Sequence, residues 1–505
     1  MADHPAPLKP PHVSANASDF SNPHRLSVYR GPMTGRWFDI EPTTTGHAAG
    51  GSAVAQKVTL PPQDVDGAGD ISLLLSPDPH IQWDFRHDGI SKDRHHVPVQ
   101  QWPVVVPPPR LTAAFASHAG AQGLPDWPVT SGHIVGICRI SAPIDIGRKS
   151  DSVDEVRFYL VNFQVRYLLE AVSSDGKSGS HSALRLQSGP WRVDIEILPD
   201  FYKVLTLIEE RQAYGITHLC RLWREAEDGT ADDFSMEDAE PVLEVIRLFV
   251  SFVRSAMVGL ALPVGYKNGQ SSFESWHVST ADAGRKSYPH ERWSWPGWYP
   301  PHHPPGYLDP HPVSHLPSIF ESFAGKFLHE DDSTRQFWQN VLRELVHTYT
   351  DAERVDKDRA IVPACIALET LGWAILVVQE KWLTGDRHPN RGRGAYERLS
   401  AADRLRLLLR WAGIPADIPP HLPNFSAKAA QDNGRIDSAD LIAWTRNRVV
   451  HPDKHDQLSH ALSIEAWAAA MWCTELISLK LLGYEGYYRN RLNHLTIERV
   501  PWADT

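Results

Sequence analysis

The chain is poor in cysteine: four residues in 505, Cys138, Cys220, Cys365 and Cys473, with no C-x-x-C pair. That scatter excludes a disulfide framework and a zinc ribbon, and it reads as buried thiols in a reducing compartment. A basic excess is also missing. Lys and Arg number 50 against 61 Asp and Glu, a formal net charge of -11, which at face value argues against a polyanionic partner. The N-terminus, MADHPAPLKPPH, has no basic segment leading into an apolar one, and no uncharged apolar run reaches the roughly 18 residues a membrane span needs. The expectation is a cytoplasmic protein with no membrane partner. Walker A, G-x-S-x-G and H-E-x-x-H are absent from the sequence as well, so neither a P-loop nor the familiar hydrolase and zinc-protease signatures are expected. No metal and no cofactor is expected.

What is present is a core-forming composition, 42% hydrophobic and 22% charged, in a chain long enough for two or three domains. Residues 1–25 read as a mobile tail. From 26 to 265 the pattern has period two. Ile71 to Leu75, His80 to Phe85, His133 to Ile140, Glu155 to Tyr167 and Leu184 to Leu198 mix β-branched or aromatic residues with polar ones, and a hairpin is expected around Ser188-Gly189-Pro190. A helix over about 236–258, carrying Val242, Ile246, Val250 and Val253, and a short strand from Met257 to Pro263 close this β-rich part. Residues 266–320, dense in Pro, Trp and His, are expected to be a connecting loop.

From 321 to 495 the apolar period changes to 3.6, which predicts an all-α bundle of five helices. These start near Ser333, Asp358, Ser400, Ser438 and Ser463, and the second, containing AIVPACIALETLGWAILVV, is apolar nearly all round. Residues 496–505 read as a C-terminal tail. The fold class is therefore α+β, a β-rich N-terminal domain followed by an all-α helical bundle.

The fourth helix, DLIAWTRNRVVHP, carries the candidate chemistry. At 100° per residue, Leu441, Ile442, Thr445 and Val449 form its buried stripe, while Arg446, Asn447 and His451 are expected on the arc facing outward. Pro452 biases His451 out of α geometry, to the helix end. A guanidinium pairs with phosphate oxygens, and an imidazole, with an unperturbed pKa of about 6.5, gives or takes a proton near neutrality. The spacing alone is cheap: R-x-x-x-x-H recurs as Arg285 to His290, and cations near a helix C-terminus are favoured by the macrodipole in any case.

Four blocks in order make the match more specific: ALETL (Ala367 to Leu371), RLRLLLRWAGIP, RNRVVHP and LLGYEGYYRNRL (Leu481 to Leu492). With them, residues 333 to 495 resemble a HEPN domain, nearest the ApeA-like branch. The stretch Met257 to Trp276 resembles, more weakly, the end of the domain that precedes HEPN in such proteins. The resemblance implies a homodimer in which two helix ends build one metal-independent endoribonuclease site, the substrate's 2′-hydroxyl acting as nucleophile. It implies His451 as general acid/base, Arg446 on the scissile phosphate and Asn447 orienting either. It also implies a role in prokaryotic antiviral defence by RNA cleavage, tRNA being one substrate considered, with the N-terminal part sensing a phage-derived or small-molecule trigger. The alternative it leaves open is a non-catalytic HEPN module that binds nucleotide or RNA and dimerises.

Three further features have plainer readings. Trp293, Trp295, Trp298 and Tyr299 as a base-stacking platform, and His302, His303, His311 and His315 as a metal site, both fit a pinned loop better. Asp64 to Asp70, DVDGAGD, lacks the twelfth-position Glu of a calcium loop and reads as a plain turn. Charge distribution reopens the polyanion question. Of the 50 basic and 61 acidic residues, 17 and 14 lie after residue 380, so the motif-bearing segment is slightly basic. Arg448, Arg387, Arg391 and Arg393 are the RNA-binding candidates.

Overall fold

The computed structural model describes residues 144–164, 183–198, 201–211, 214–282, 316–383, 394–431, 436–451, 458–493 and 497–503, with strand segments between 25 and 138. The fold is α+β. The first strands are β1 (Arg25–Trp37), β2 (Ile40–Pro42), β3 (Gln56–Val58), β4 (Gln63–Leu74), β5 (His80–Arg86), β6 (Trp102–Val106), β7 (Leu111–Phe115) and β8 (His133–Cys138). Six form an antiparallel sheet in the order β7-β6-β1-β4-β5-β8. The segment Asp64 to Asp70, expected as a turn, is strand, because β1 pairs with it residue by residue from Arg36↔Asp64 to Arg30↔Asp70.

A separate sheet is built from β9 (Ile144–Ile146), β11 (Glu155–Val161), β12 (Ala183–Ser188), β13 (Trp191–Ile197), β14 (Ile216–Glu225), β15 (Ala231–Asp232), β17 (Gly259–Lys267) and β18 (Gln270–Trp276), while β10 (Ser152–Val153) pairs with β16 (Phe234–Ser235). The expected hairpin is there: Ser188 faces Trp191 across Gly189-Pro190. Helix α1 (Phe201–Arg211) was not expected. Helix α2 (Met236–Arg254) begins in a capping box of Ser235 and Asp238 and buries Val242, Ile246, Val250 and Val253 as the periodicity required.

The connecting loop expected over 266–320 is shorter at both ends. Strand β17 runs to Lys267 and β18 follows at once, because Asn268-Gly269, with φ of 51° and 76°, supplies the two left-handed residues of a tight hairpin. At the other end, helix α3 (Leu316–Phe327) packs on β12, α2 and α4 (Asp332–Arg354). The Trp293 to Tyr299 and His302 to His315 features lie outside the described residues.

The bundle continues with α5 (Lys357–Gly372), a π-helical turn over Trp373–Gln379, α6 (Ala395–Arg398), α7 (Ala401–Ala412), α8 (Pro423–Gln431), α9 (Ser438–Val450) and α10 (His460–Leu481). All five expected helices exist, with three more among the described residues. Asp331 rather than Ser333 caps α4, and Ser459 rather than Ser463 caps α10. Gly413 and Gly483, at φ 71° and 67°, end α7 and α10. The expected tail from 496 is packed structure as far as it is described: β20 (Ile497–Arg499) pairs with β19 (Tyr487–Arg489), and the buried Trp502 donates to the Tyr484 carbonyl at 2.6 Å. Among the described residues, Lys357–Gln379 is long and apolar enough to cross a membrane, yet 56% of its most apolar stretch is buried inside the protein, against α4, α9 and α10. That is the position of a bundle's central helix.

The sheet of β9 to β18 and the bundle share one hydrophobic core through α2 and α3. In that sheet His218 is fully buried, its Nδ1 2.9 Å from the Thr217 hydroxyl and its ring between Phe163 and Phe201. Burial pushes its pKa down to about 3. Below the ordinary value of about 6.5 the unfolded chain takes up a proton that the native state refuses, so this residue contributes stability that rises with pH between those limits. His218→Gln is expected to flatten that dependence: the variant's urea midpoint should change less than the wild type's between pH 5 and pH 7. Equal slopes for the two proteins would refute the assignment.

Candidate functional site

Helix α9 is set in place by its N-terminus. Asp437 caps it, and Asp440 returns the hydrogen bond to complete a capping box. Arg406 of α7 clamps both: its Nε and Nη2 reach Asp437 at 2.6 and 3.1 Å, a further contact goes to Asp440, and Nη1 holds Asp403 at 2.7 Å. Burial alone would raise the Asp437 pKa, but the hydrogen bonds from Arg406 hold the carboxyl below its usual range. Arg406→Ala is expected to cost about 1–2 kcal/mol, a figure between an exposed ion pair and a hydrogen bond to a charged group. It is also expected to speed amide exchange in the first turn of α9 while leaving α10 unchanged; uniform acceleration through the bundle would contradict a local clamp.

The buried stripe of α9 is as expected. Leu441, Ile442 and Thr445 are buried and Val449 is half-buried. At the other end His451 is exposed and extended, φ -114° and ψ 101°, so the imidazole projects beyond the last helical turn. Asn447 is exposed too. Arg446 departs from the expected outward arc. The residue is half-buried and lines a pocket between α5, α6, α7 and α9, and its Nε is buried with no hydrogen-bond partner. Its Nη1 donates to the Asn447 side-chain oxygen at 3.3 Å. The structure thus joins Arg446 to Asn447, while no hydrogen bond joins either to His451. The reason is angular: Arg446 lies about 40° past Ile442 on the wheel, close enough for the neighbouring helices to draw its long side chain inward.

The Arg448 guanidinium carbon lies over Trp444, 3.6 Å from the ring centroid, and the Lys428 ammonium of α8 lies 5.5 Å from the same ring. This stack of two cations and an indole was missed in the sequence reading, although W-x-x-x-R is the helical spacing that makes such a contact. Arg387, Arg391 and Arg393 lie outside the described residues. Among the described residues, no group of three or more His, Cys, Asp or Glu is arranged to hold a metal ion.

The pocket beside Arg446 has a cavity volume of ≈ 40 Å³ and walls from Leu368, Leu405, Leu408 and Ile442. Gly372 also lines it. A Cβ there would sit 2.8 Å from the Tyr396 hydroxyl, so any larger residue would have to displace that side chain. The π-helical turn begins one residue later, and Trp373 meets Tyr396 edge to face at 5.4 Å. Such π insertions in an α-helix are rare and concentrate at functional sites.

Comparison with known proteins divides the chain in the same way as the fold. Residues 335–501 match the YopA C-terminal domain, and residues 148–287 match the YopA central domain. The likeness is to YopA. The first match runs from α4 to β20 and includes Arg446, Asn447 and His451; the second covers the sheet from β10 to β18 with α1 and α2. A relative, the SPbeta prophage-derived uncharacterized protein YopA of Bacillus subtilis (strain 168), is 26% identical over 361 residues, 69% of this chain and 72% of that protein. No solved structure matches the chain. The HEPN likeness accordingly rests on the motif residues themselves.

Proposed function

We propose that this chain is a metal-independent endoribonuclease of the HEPN type, working as a cytoplasmic homodimer in prokaryotic antiviral defence. The observation that carries the reading is the end of α9. An exposed imidazole projects from the helix terminus at His451. Four residues separate it from Arg446, a guanidinium joined to the Asn447 amide and with its buried Nε–H lacking an acceptor. In that reading the 2′-hydroxyl of the RNA attacks the adjacent phosphorus, His451 moves the proton, and Arg446 stabilises the charge on the phosphoryl oxygens. The products are a 2′,3′-cyclic phosphate and a 5′-hydroxyl end. The sheet of β9 to β18 is the sensing part, coupled to the effector through the shared core.

The test incubates purified full-length chain with total RNA and with tRNA in excess EDTA, beside His451→Ala and Arg446→Ala. Cleavage by wild type alone, leaving cyclic-phosphate ends, is the expected result. One observation favours the second reading, a binding module without catalysis: Arg446 is turned into a pocket of its own subunit and has no hydrogen bond to His451. RNA binding without cleavage by all three proteins would establish that reading instead.

A further inference from the structure

We propose that the pocket between α5, α7 and α9 is a guanine subsite, which takes the base of the nucleotide whose phosphate lies on Arg446 and Asn447. This assignment rests on the ribonuclease reading above and adds the base it selects. Two features on opposite helices define the pocket's chemistry. On α9, the Arg446 Nε–H is buried and has no acceptor. On α5, the Glu369 carboxylate receives no hydrogen bond or ion pair from the described residues, yet it acts electrostatically on the Cys365 thiol and the Tyr396 hydroxyl, both of which line the pocket. The third charged lining group, Arg404, is already used: it lies over the Tyr396 ring, and its Nε and Nη2 donate to the Leu399 and Glu397 carbonyls. The pocket lining thus holds one acceptor-only carboxylate and one donor-only guanidinium whose buried Nε–H has no acceptor, together with leucine and isoleucine side chains.

Apolar walls suit an aromatic ring, and the two polar groups read its edge. Guanine alone among the four RNA bases puts two adjacent donors, N1–H and N2–H2, beside an acceptor pair, O6 and N7. The donors match the two oxygens of Glu369, and O6 with N7 matches the guanidinium, the commonest specific Arg–base pairing. Adenine and cytosine offer the carboxylate a single amino group, and uracil a single N–H flanked by acceptors that a carboxylate repels. A volume of ≈ 40 Å³ holds the edge of a base and not the whole nucleotide. The ribose and phosphate therefore stay at the rim, where the Arg446 Nη1 already meets Asn447. One guanidinium, with its five N–H groups, serves base and phosphate together.

The test uses the full-length chain and compares wild type with Glu369→Gln, a shape-conserving change at an exposed position, and with His451→Ala. Binding of GMP, AMP, CMP and UMP is followed by calorimetry, and cut sites are mapped on RNA of mixed sequence. Wild type and His451→Ala are expected to bind GMP at least tenfold tighter than the other three, Glu369→Gln is expected to lose that preference, and cuts are expected beside guanine. Cleavage at all four bases alike, with no preference for GMP, overturns the subsite while leaving the ribonuclease intact. A GMP preference that Glu369→Gln removes, in a protein that cuts no RNA, keeps the pocket as a guanine site and sinks the ribonuclease. GMP preference with cuts indifferent to base assigns the pocket to a free nucleotide and overturns its role on substrate. Equal weak binding of all four nucleotides with no cleavage overturns both.

Discussion

Replacing His451 by alanine is expected to lower RNA cleavage about 10²- to 10⁴-fold, the usual contribution of a positioned general acid or base, without changing the unfolding midpoint. The second half of that expectation follows from the structure. His451 is exposed and extended beyond α9 and packs into no core, so truncation leaves no cavity. Arg446→Ala is expected to cost cleavage about 10²- to 10³-fold, as removal of a charge-stabilising donor does. Because that residue is half-buried and lines the pocket together with Leu368, Leu405 and Ile442, some packing is lost with it. Arg446→Lys separates the two contributions: it keeps the charge and most of the stem and loses the planar fork. If His451→Ala cleaves as wild type does, the imidazole has no part in the chemistry and the proposed mechanism fails.

The sequence made some of this legible because the signals were local. Capping residues mark the starts of α7 and α9 and αL glycines the ends of α7 and α10 within a residue or two, while the start of α10 lies four residues before the expected serine; the position of His451 outside the helix follows from the proline after it. The hairpin of β17 and β18 carried its own signal, Asn268-Gly269, hidden inside a stretch dominated by the prolines, tryptophans and histidines that follow. Tertiary facts were not local. The inward turn of Arg446 depends on α5 and α7, which supply the pocket. The π-helical turn after Gly372 breaks a run whose apolar pattern reads as one continuous helix. The union of the β9–β18 sheet with the bundle is likewise not drawn by composition, because it depends on α2 and α3 packing into a common core.

That union is sharpest at one buried ionic cluster, and its disruption carries the largest stability effect expected here. Arg491, 6% exposed, lies with its Nη2 2.5 Å from Glu475 and 2.6 Å from Glu353, both of whose side chains are 5% exposed or less. The Tyr349 hydroxyl reaches Glu475 at 2.7 Å and the Ser255 hydroxyl, just past the end of α2, at 3.0 Å. Burial alone would lower the Arg491 pKa, and the two glutamates more than reverse that, holding it charged; burial and Glu475 together raise that of Tyr349. Lys357 adds the second cation, 3.6 Å from Glu353, and shares the Trp467 ring with Arg491. Two cations thus balance two carboxylates, with Arg491 and both glutamates buried and Lys357 at the half-exposed edge. Arg491→Met removes one of them and leaves two carboxylates facing each other, at a cost of about 3–5 kcal/mol, or a drop in melting temperature of roughly 10 °C. Adding Glu475→Gln to Arg491→Met restores the charge balance and is expected to recover a large part of that loss, since a balanced or neutral site avoids the uncompensated charge. A double variant no more stable than Arg491→Met would show that the loss comes from packing around Trp467 and not from buried charge. Because Tyr349 ties Ser255 to Glu475, the same substitution is expected to loosen the sheet from the bundle, read as faster amide exchange in the last turn of α2; protection there equal to wild type would confine the cluster's role to the bundle alone.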